Sequence, residues 1–313
     1  MTDEAPVIAI VGPTAVGKSA LALEIARRVG GEIMTADSRQ VYRYMDVGTA
    51  KPTAAERAMA PHHMLDLVEP GDTYTAGRYR EEGTRVLARL ATSGTPALVA
   101  GGTGFYIRSL LDGMLPPAVE PNPELRKVLR ALAADAGPHA LHSRLAELDP
   151  TSAARIHPHN VPRLVRALEI IDALGGPIPS RQGREVPALY IGLTMDRVRL
   201  RMRSDQRVLA QMESGLVEET ALLLAMGYDP ASPALTGFGY AQMVAYLTGS
   251  MTRDVAIMAY QQATRAYIRR QMTWFRANSS INWIDAEGCP IDEAMRLITA
   301  WTSRAVPRDA PPA

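Results

Sequence analysis

Cysteine, lysine and long apolar runs are all scarce in this chain of 313 residues. Its single cysteine, Cys289, excludes an internal disulfide framework and any cysteine-rich zinc module. No uninterrupted apolar stretch is long enough to span a bilayer. The acidic start, MTDEAPVIAIVGPT, is not typical of a signal peptide. These absences favour a cytoplasmic protein that does not contact the membrane.

The charge balance is close to neutral, with a formal net charge of +1. A chain-wide positive field that would attract nucleic acid is therefore excluded, and any such binding must come from local patches. The length, with 47% hydrophobic residues, allows a main domain and a second domain.

Strand and helix patterns alternate along the chain, which predicts parallel βαβ units. A strand, a glycine loop and a helix are predicted in PVIAIVGPTAVGKSALALEIARRVGG, a second strand in EIMTAD, and a strand, turn and helix in TPALVAGGTGFYIRSLLDG. The fold class that follows is α/β, with a doubly wound parallel sheet. Ligands of such sheets bind at the carboxyl ends of the strands.

Two breaks rich in proline or glycine divide the chain, at residues 115–126 and 175–187, and the prolines of the first predict a linker or hinge. Helical patterning lies between them, and strand patterning resumes after the second break. We therefore predict a first part of the core at 1–116, a helical insertion at 117–187, and the remainder of the core with C-terminal helices at 188–313.

One complete motif, G-x-x-x-x-G-K-[ST], lies between the first predicted strand and helix. Its residues are Gly12, Pro13, Thr14, Ala15, Val16, Gly17, Lys18 and Ser19. In such a P-loop, backbone N–H groups converge on an anion at a helix N-terminus, and the lysine adds a point charge. The serine hydroxyl can complete a Mg²⁺ shell. The sequence thus predicts a diphosphate- or nucleotide-binding loop, with Mg²⁺ as cofactor and Ser19 as its ligand.

An acid, Asp37, ends the second predicted strand in TADSRQVY. It can bind Mg²⁺ for a phosphoryl transfer, as in a small-molecule kinase, or accept a proton from a nucleophile. A helix N-cap is a third interpretation. No N-K-x-D guanine motif is found, and PALVAGGTG ends in glycine where a Walker B acid is expected. Both observations weigh against an NTPase.

Thr103 lies on the glycine turn GGTGFY at the same predicted edge of the sheet. Its hydroxyl can reach a substrate oxygen or Asp37, although a helix N-cap explains this threonine equally well.

Basic residues cluster in QQATRAYIRRQMTWFR, residues 261–276, which holds four arginines, three aromatic residues and no acid. This pattern suits a helix that follows a phosphate backbone, or alternatively a solvated face with Trp274 packed in the core. Arg163 and Arg166 form a second, smaller basic face.

Six segments together resemble the tRNA dimethylallyltransferase family, in the family's order from about residue 7 to about residue 285. They are GPTAVGKS, TADSRQVYRYMDVGTAKP, PHHMLDLVEP, GGTGFYIRSLLDG, RIHPHNVPRLVRALEI and TRAYIRRQMTWFR. The resemblance implies a P-loop NTPase-like core with a helical insertion that closes on the tRNA anticodon stem-loop. It also implies transfer of a dimethylallyl group from dimethylallyl diphosphate to N6 of the adenosine 3′ of the anticodon, in tRNAs that read codons beginning with U. The partners are then tRNA and dimethylallyl diphosphate, with no obligate protein partner.

The same resemblance assigns roles to single residues. The P-loop would hold the prenyl diphosphate, and Asp37 and Thr103 would be catalytic. The residues that would bind tRNA are Asp37, Ser38, Arg39, Gln40, Thr103, Arg126, Arg163 and Arg166. The run LTGFGYAQM departs at Phe238 and Ala241 from the family's more usual I-G-Y-K/R-E pattern.

The chemistry of such a transfer agrees with the motifs. A carboxylate that accepts the N6 proton makes adenine a better nucleophile, and a P-loop can stabilise a departing diphosphate. Nothing attacks phosphorus, so no Walker B acid is needed. A small-molecule kinase, an adenylate isopentenyltransferase and a non-catalytic RNA-binding module remain as alternatives.

Overall fold

The computed structural model describes residues 5–115, 117–179 and 183–305. Its chain divides into two compact units, Met1–Gly113 with Arg184–Ala313, and Met114–Gly183. The second unit begins and ends a few residues before the predicted insertion, 117–187. Whether it binds the anticodon stem-loop stays a prediction.

A six-stranded, all-parallel sheet forms the centre of the first unit, with the strand order β3-β2-β4-β1-β5-β6 in the described residues. The strands are β1 (Val7–Val11), β2 (Glu32–Ala36), β3 (His62–His63), β4 (Ala97–Gly101), β5 (Leu189–Thr194) and β6 (Asn282–Asp285). The predicted α/β class is confirmed.

Helices follow the strands in the first unit and form the second unit. The first four are α1 (Lys18–Val29), α2 (Ala54–Met59), α3 (Ala76–Thr92) and α4 (Gly104–Leu110). Those of the second unit are α5 (Pro123–Asp135), α6 (Pro138–Leu148), α7 (Pro150–Ala153) and α8 (Val161–Leu174). The last five are α9 (Arg197–Glu213), α10 (Leu216–Ala225), α11 (Tyr240–Leu247), α12 (Arg253–Arg276) and α13 (Pro290–Ala305). None of the helices described is both long and apolar enough to cross a membrane.

Both faces of the sheet are covered, which explains the continuous apolar runs of its strands. All five residues of β1 are buried. Ala9 and Val11 pack in one apolar cluster, whereas Ile8 and Ile10 pack in another. Since successive strand residues point to opposite faces, the two clusters form the cores on either side of the sheet.

The register of the central strands brings their carboxyl ends side by side. Val11 of β1 pairs with Gly101 of β4, and Gly101 pairs in turn with Ala36 of β2. On the other side, Val11 pairs with Gly192 of β5. The loops that follow β1, β2 and β4 therefore begin at one edge of the sheet, and these loops carry the predicted site residues.

The start of the second unit corrects one prediction. Helix α5 begins at Pro123, inside the stretch 115–126 that we expected to be a linker. Asn122 caps the helix by accepting the N–H of Leu125. Proline is well tolerated in the first helical turn, because its missing N–H would have no intrahelical partner there.

Candidate active site

The P-loop leads from the end of β1 into α1, as the motif predicts. Lys18 is half-buried and is the first residue of the helix, and its Nζ donates to the carbonyl oxygen of Pro13 at 2.7 Å. Ser19 is exposed in the first turn. The lysine and the free N–H groups of the helix start thus form a site suited to an anion.

The pKa of Lys18 is lowered from 10.5 to about 7. Burial is the largest cause and the charge of Arg207 the second, while Asp37 acts in the opposite direction. An anion bound at the P-loop would favour the charged ammonium and so raise this pKa again. Lys18 is therefore a group whose charge depends on a ligand.

Helix α9 places two arginines next to the P-loop. A cavity of about 190 Å³ (space for the centres of water molecules), here called the P-loop cavity, is lined by Ala15, Gly17, Lys18, Ser19, Ala20, Arg203 and Arg207. A Cβ on Gly17 would lie 3.8 Å from an Arg203 nitrogen. Neither arginine belongs to a motif that predicts the site, although their spacing of four in RVRLRMRSDQR places them on one helix face.

Asp37 directly follows β2, and its Oδ1 accepts the backbone N–H of Arg39 at 2.8 Å. The residues after it form a turn and no helix, so the helix N-cap interpretation is wrong. The carboxylate instead lies among the residues that line the cavity described below.

Thr103 fastens the glycine turn to the Asp37 loop. Its hydroxyl accepts the N–H of Ser38 at 3.0 Å, and its own N–H donates to the carbonyl of Ala36 at 3.1 Å. Its side chain makes no capping bond to α4. The approach is so close that a Cβ on Gly101 would lie 2.1 Å from the carbonyl oxygen of Ala36, which explains the glycine there.

A second cavity, here called the aromatic cavity, joins these loops to the C-terminal helices. Its volume is about 190 Å³ by the same measure. Its polar end includes Lys18, Asp37 and Arg207. The rings of its wall belong to Phe238, Tyr240, Tyr260 and Tyr267. A carboxylate, two cationic groups and an apolar wall thus meet in one enclosed space.

Gln271 of α12 bridges two loops of the site. Its Oε1 accepts the N–H of Thr14 at 2.8 Å, and its Nε2 donates to the carbonyl of Gly102 at 3.0 Å. Sequence analysis did not find Gln271, because it lies far along the chain from both partners and a lone glutamine carries no motif.

Comparison with known proteins identifies the family. The model of the IPP transferase family matches residues 40–278, and that of the isopentenyl transferases matches residues 5–65. This chain belongs to the IPP transferase family. The resemblance stated from the sequence motifs is thereby confirmed.

Relatives in this family match nearly the whole chain. A tRNA dimethylallyltransferase of Thermomicrobium roseum is 45% identical over 91% of this chain and 88% of its own length. One of Anaeromyxobacter dehalogenans is 48% identical over 88% of this chain and 94% of its own length.

Solved structures show the same fold. The tRNA isopentenylpyrophosphate transferase of Bacillus halodurans has a TM-score of 0.72 at 34% identity, covering 96% of this chain and 97% of its own. A eukaryotic dimethylallyltransferase acting on tRNA, with a TM-score of 0.78 at 23% identity, covers 97% of this chain and 81% of its own. At that identity, the similarity supports the fold alone.

For this IPP transferase, the structure also places the other predicted tRNA contacts. Ser38 and Arg39 line the aromatic cavity. Gln40 is buried, and its Nε2 donates to the carbonyls of Thr49 and Ala50 at 3.0 and 3.1 Å. Its amide is therefore held by the fold, and contact with a nucleotide stays a prediction for all three residues.

The predicted arginines of the second unit have internal partners. Arg126 and Arg166 both donate to the carboxylate of Glu169, which is 1% exposed. Burial opposes ionisation of Glu169, yet the two guanidinium groups and the N–H of Asn122 hold its pKa at about 2. Arg163 is exposed near the start of α8. These contacts do not test whether the three arginines bind tRNA, which stays a prediction.

Helix α12 does not present all of its arginines to solvent. Arg265 makes a two-bond ion pair with Asp205 of α9, at 2.8 and 2.5 Å. The phosphate-tracking interpretation is therefore wrong for Arg265, which joins two helices. Arg269, Arg270 and Arg276 are exposed.

The residues at the P-loop fit a Mg²⁺ ion that is bound mainly by a ligand. Within the described residues, no group of three or more His, Cys, Asp or Glu side chains could hold a metal ion. Ser19 offers one exposed hydroxyl to the P-loop cavity. Mg²⁺ commonly binds through one or two protein oxygens together with substrate phosphates and water, so this small donor set suffices.

Proposed function

We propose that this enzyme transfers the dimethylallyl group of dimethylallyl diphosphate to N6 of the adenosine 3′ of the anticodon, in tRNAs that read codons beginning with U. The observation that carries the proposal is the convergence of Asp37, Lys18 and Arg207 on the aromatic cavity. A base and an anion site in one enclosed space are what an alkyl transfer from a diphosphate to an amine requires.

The P-loop side would hold the diphosphate. Backbone N–H groups at the start of α1 and the charged groups of Lys18, Arg203 and Arg207 surround the P-loop cavity. As the allylic C–O bond breaks, its electron pair leaves with the diphosphate, and these donors stabilise the growing negative charge. Mg²⁺, held by the diphosphate and Ser19, would add further charge neutralisation when bound.

The Asp37 side would activate the acceptor. The exocyclic N6 of adenine is a weak nucleophile because its lone pair is delocalised into the ring. Asp37 accepts a proton from N6 as the N6–C bond forms, and the N–H of Arg39 keeps the carboxylate in place. Thr103 holds the Asp37 loop through the N–H of Ser38. We propose that Thr103 positions this loop, and a direct contact of its hydroxyl with substrate stays a prediction.

The aromatic wall suits the uncharged part of the reaction. Phe238 lies 5.0 Å from Tyr267 and 6.3 Å from Tyr260, measured between ring centroids. Such rings can pack against a five-carbon prenyl group and exclude water from a carbon with cationic character. Because its acceptor is tRNA, we also propose that the enzyme acts in the cytoplasm.

Label transfer tests this function directly. Labelled dimethylallyl diphosphate is incubated with the enzyme and either unmodified tRNA or AMP. We expect label in tRNA and none in AMP. Label in AMP alone would indicate an adenylate isopentenyltransferase. Label in neither acceptor, or phosphate transfer from ATP to a small molecule, would overturn the proposal.

The role of Asp37 as general base is tested by Asp37→Ala, and by Asp37→Asn, which keeps the shape of the side chain. Both variants lack a proton acceptor, so we expect transfer to fall by about 10²- to 10⁴-fold, with tRNA affinity nearly unchanged. Normal turnover by Asp37→Asn would contradict the general-base role.

A further inference from the structure

A pair of aromatic rings lies at the surface where α4 contacts α12. Phe105 of α4 is 45% exposed. Its ring centroid lies 6.2 Å from that of Trp274 on α12, with an angle of 64° between the ring planes. An exposed phenylalanine set edge-on against a tryptophan is an apolar surface that remains uncovered in the described residues.

The tryptophan of this pair is held rigidly. Its ring lies directly over the backbone of Gly104, where a Cβ would come within 2.1 Å of the indole. The guanidinium of Arg108 lies 5.8 Å from the ring centroid. Because Trp274 cannot shift toward α4, it packs against Phe105 from a fixed position.

Both elements that carry the pair also carry cationic side chains. Arg270 and Arg276 are exposed on the same helix as Trp274, and α12 carries no acid after residue 254. Arg108 pairs weakly with Asp112, at 3.6 Å. An exposed ring, supported by a half-buried tryptophan and accompanied by cations, fits a nucleic acid strand, whose bases stack on aromatic side chains while its phosphates are neutralised. An apolar protein partner would leave these cations without a counterpart.

The pair is also connected to the site. Phe105 follows Thr103 by two residues, and Thr103 binds the Asp37 loop. Gln271, three residues before Trp274, binds Gly102 at the wall of the aromatic cavity. The two rings therefore belong to segments that bind the loops around Asp37.

We infer that Phe105, supported by Trp274, stacks an unpaired nucleobase adjacent to the target adenosine. The inference rests on the proposed function and names a further RNA contact for it. A base that leaves its stack to enter a cavity deprives its neighbour of a stacking partner. A ring surface beside the cavity replaces that partner and keeps the loop open.

Kinetics with an anticodon stem-loop RNA test this contact. For Phe105→Ala we expect the KM for the stem-loop to rise by about 5- to 100-fold, the loss of one stacked base, with little change in kcat or in pyrophosphate binding. Met258→Ala is the matched control, since Met258 is an apolar residue of α12 that is 60% exposed. It should leave all these constants unchanged.

Abasic RNAs identify the stacked base. Removing the base on one side of the target should raise the KM of the wild type by the same factor, whereas Phe105→Ala should be insensitive to this change. Equal sensitivity of both enzymes, or an unchanged KM in Phe105→Ala, would overturn the inference.

Binding without turnover separates this inference from the proposed function. A base stacked at the pair should quench the fluorescence of Trp274, and Trp274→Phe should remove that quenching while keeping the affinity. Quenching that depends on Phe105, without any label transfer by the wild type, would retain the RNA contact and refute the transfer reaction. Label transfer without Phe105-dependent quenching would support the transfer reaction and refute the RNA contact.

Discussion

Two of the three lysines of this chain, the half-buried Lys18 and the buried Lys51, differ in their partners. The Nζ of Lys51 donates to the carbonyl of Tyr42 and to the carboxylates of Asp46 and Asp66, at 2.5–2.7 Å. The Nζ of Lys18 has one carbonyl partner and no carboxylate within bonding distance in the described residues.

The difference separates a structural cation from one that is kept for a ligand. The three acceptors satisfy the ammonium group of Lys51; Tyr42 and Asp46 lie between β2 and β3, and Asp66 follows β3. Burial and Arg207 instead lower the pKa of Lys18 to about 7, so its charge is only fully stabilised when an anion arrives. The hydrogen-bond partners of a lysine, more than its burial, therefore determine whether it can bind a ligand.

The largest expected effect is that of Lys18→Met on catalysis. We expect kcat/KM for prenyl transfer to fall by about 10²- to 10³-fold, because one donor to the departing diphosphate is lost. The free energy of unfolding should stay the same or rise, since a buried charge is removed. Label transfer and urea denaturation measure the two quantities. A marked loss of stability would make Lys18 a structural residue like Lys51.

Lys51→Met should show the opposite pattern. We expect the free energy of unfolding to fall by about 2 kcal/mol, because the carbonyl of Tyr42 loses its partner and Asp66 is left with Arg57. The exposed third lysine provides the control, and Lys127→Met should change stability by less than about 0.5 kcal/mol. Urea denaturation measures the free energy of unfolding of both variants. If Lys51→Met is as stable as Lys127→Met, the contrast between the two buried lysines fails.

The pH dependence of pyrophosphate affinity sharpens the comparison further. In the ligand-free enzyme, Lys18 loses its charge as the pH rises through about 7. This loss of charge should weaken pyrophosphate binding by up to about tenfold per pH unit above that value. The arginine of Lys18→Arg stays charged over this pH range. Its curve therefore shows the effect of the titration of pyrophosphate alone. Titration calorimetry between pH 6 and pH 9 gives both curves. Parallel curves would contradict the lowered pKa.

The smallest effect concerns acid stability. Burial favours the neutral form of Asp66, but bonds and charge from Lys51 and Arg57 lower its pKa below 3.8 overall. Its stabilising contribution is complete above that pH and is lost as the pH falls through the folded-state pKa, by at most about 1.4 kcal/mol per unit. Lys51→Met should lose less stability than the wild type between pH 4.5 and 3. Equal losses in urea denaturation would remove Asp66 from this explanation.

Much of the fold could be predicted from periodicity. Strands buried on both faces are short apolar runs, so β1, β2, β4 and β5 were identified from the sequence alone, and a glycine marks the ends of β1 and β4. Strand β3, with two residues, is too short to produce a pattern. The start of α5 was assigned to a linker because proline looks like a helix breaker until its position in the first turn is known.

The candidate site was predictable only where one loop carries a motif. The P-loop, Asp37 and Thr103 are local features of strand ends. Arg207 and Gln271 reach the same site from helices that follow much later in the chain, and their positions depend on tertiary packing. For the same reason the sequence could not distinguish Arg265, which an acid of α9 binds, from the exposed Arg270.

The bridge made by Gln271 has a consequence for sequence variation. It accepts from Thr14 and donates to Gly102, so a glutamate of equal length would place a lone pair against the Gly102 carbonyl. A Cβ on Gly102 would in turn lie 2.1 Å from the amide nitrogen of Gln271. We therefore expect positions 102 and 271 to covary among relatives: any residue larger than glycine at 102 should be accompanied by a shorter side chain at 271.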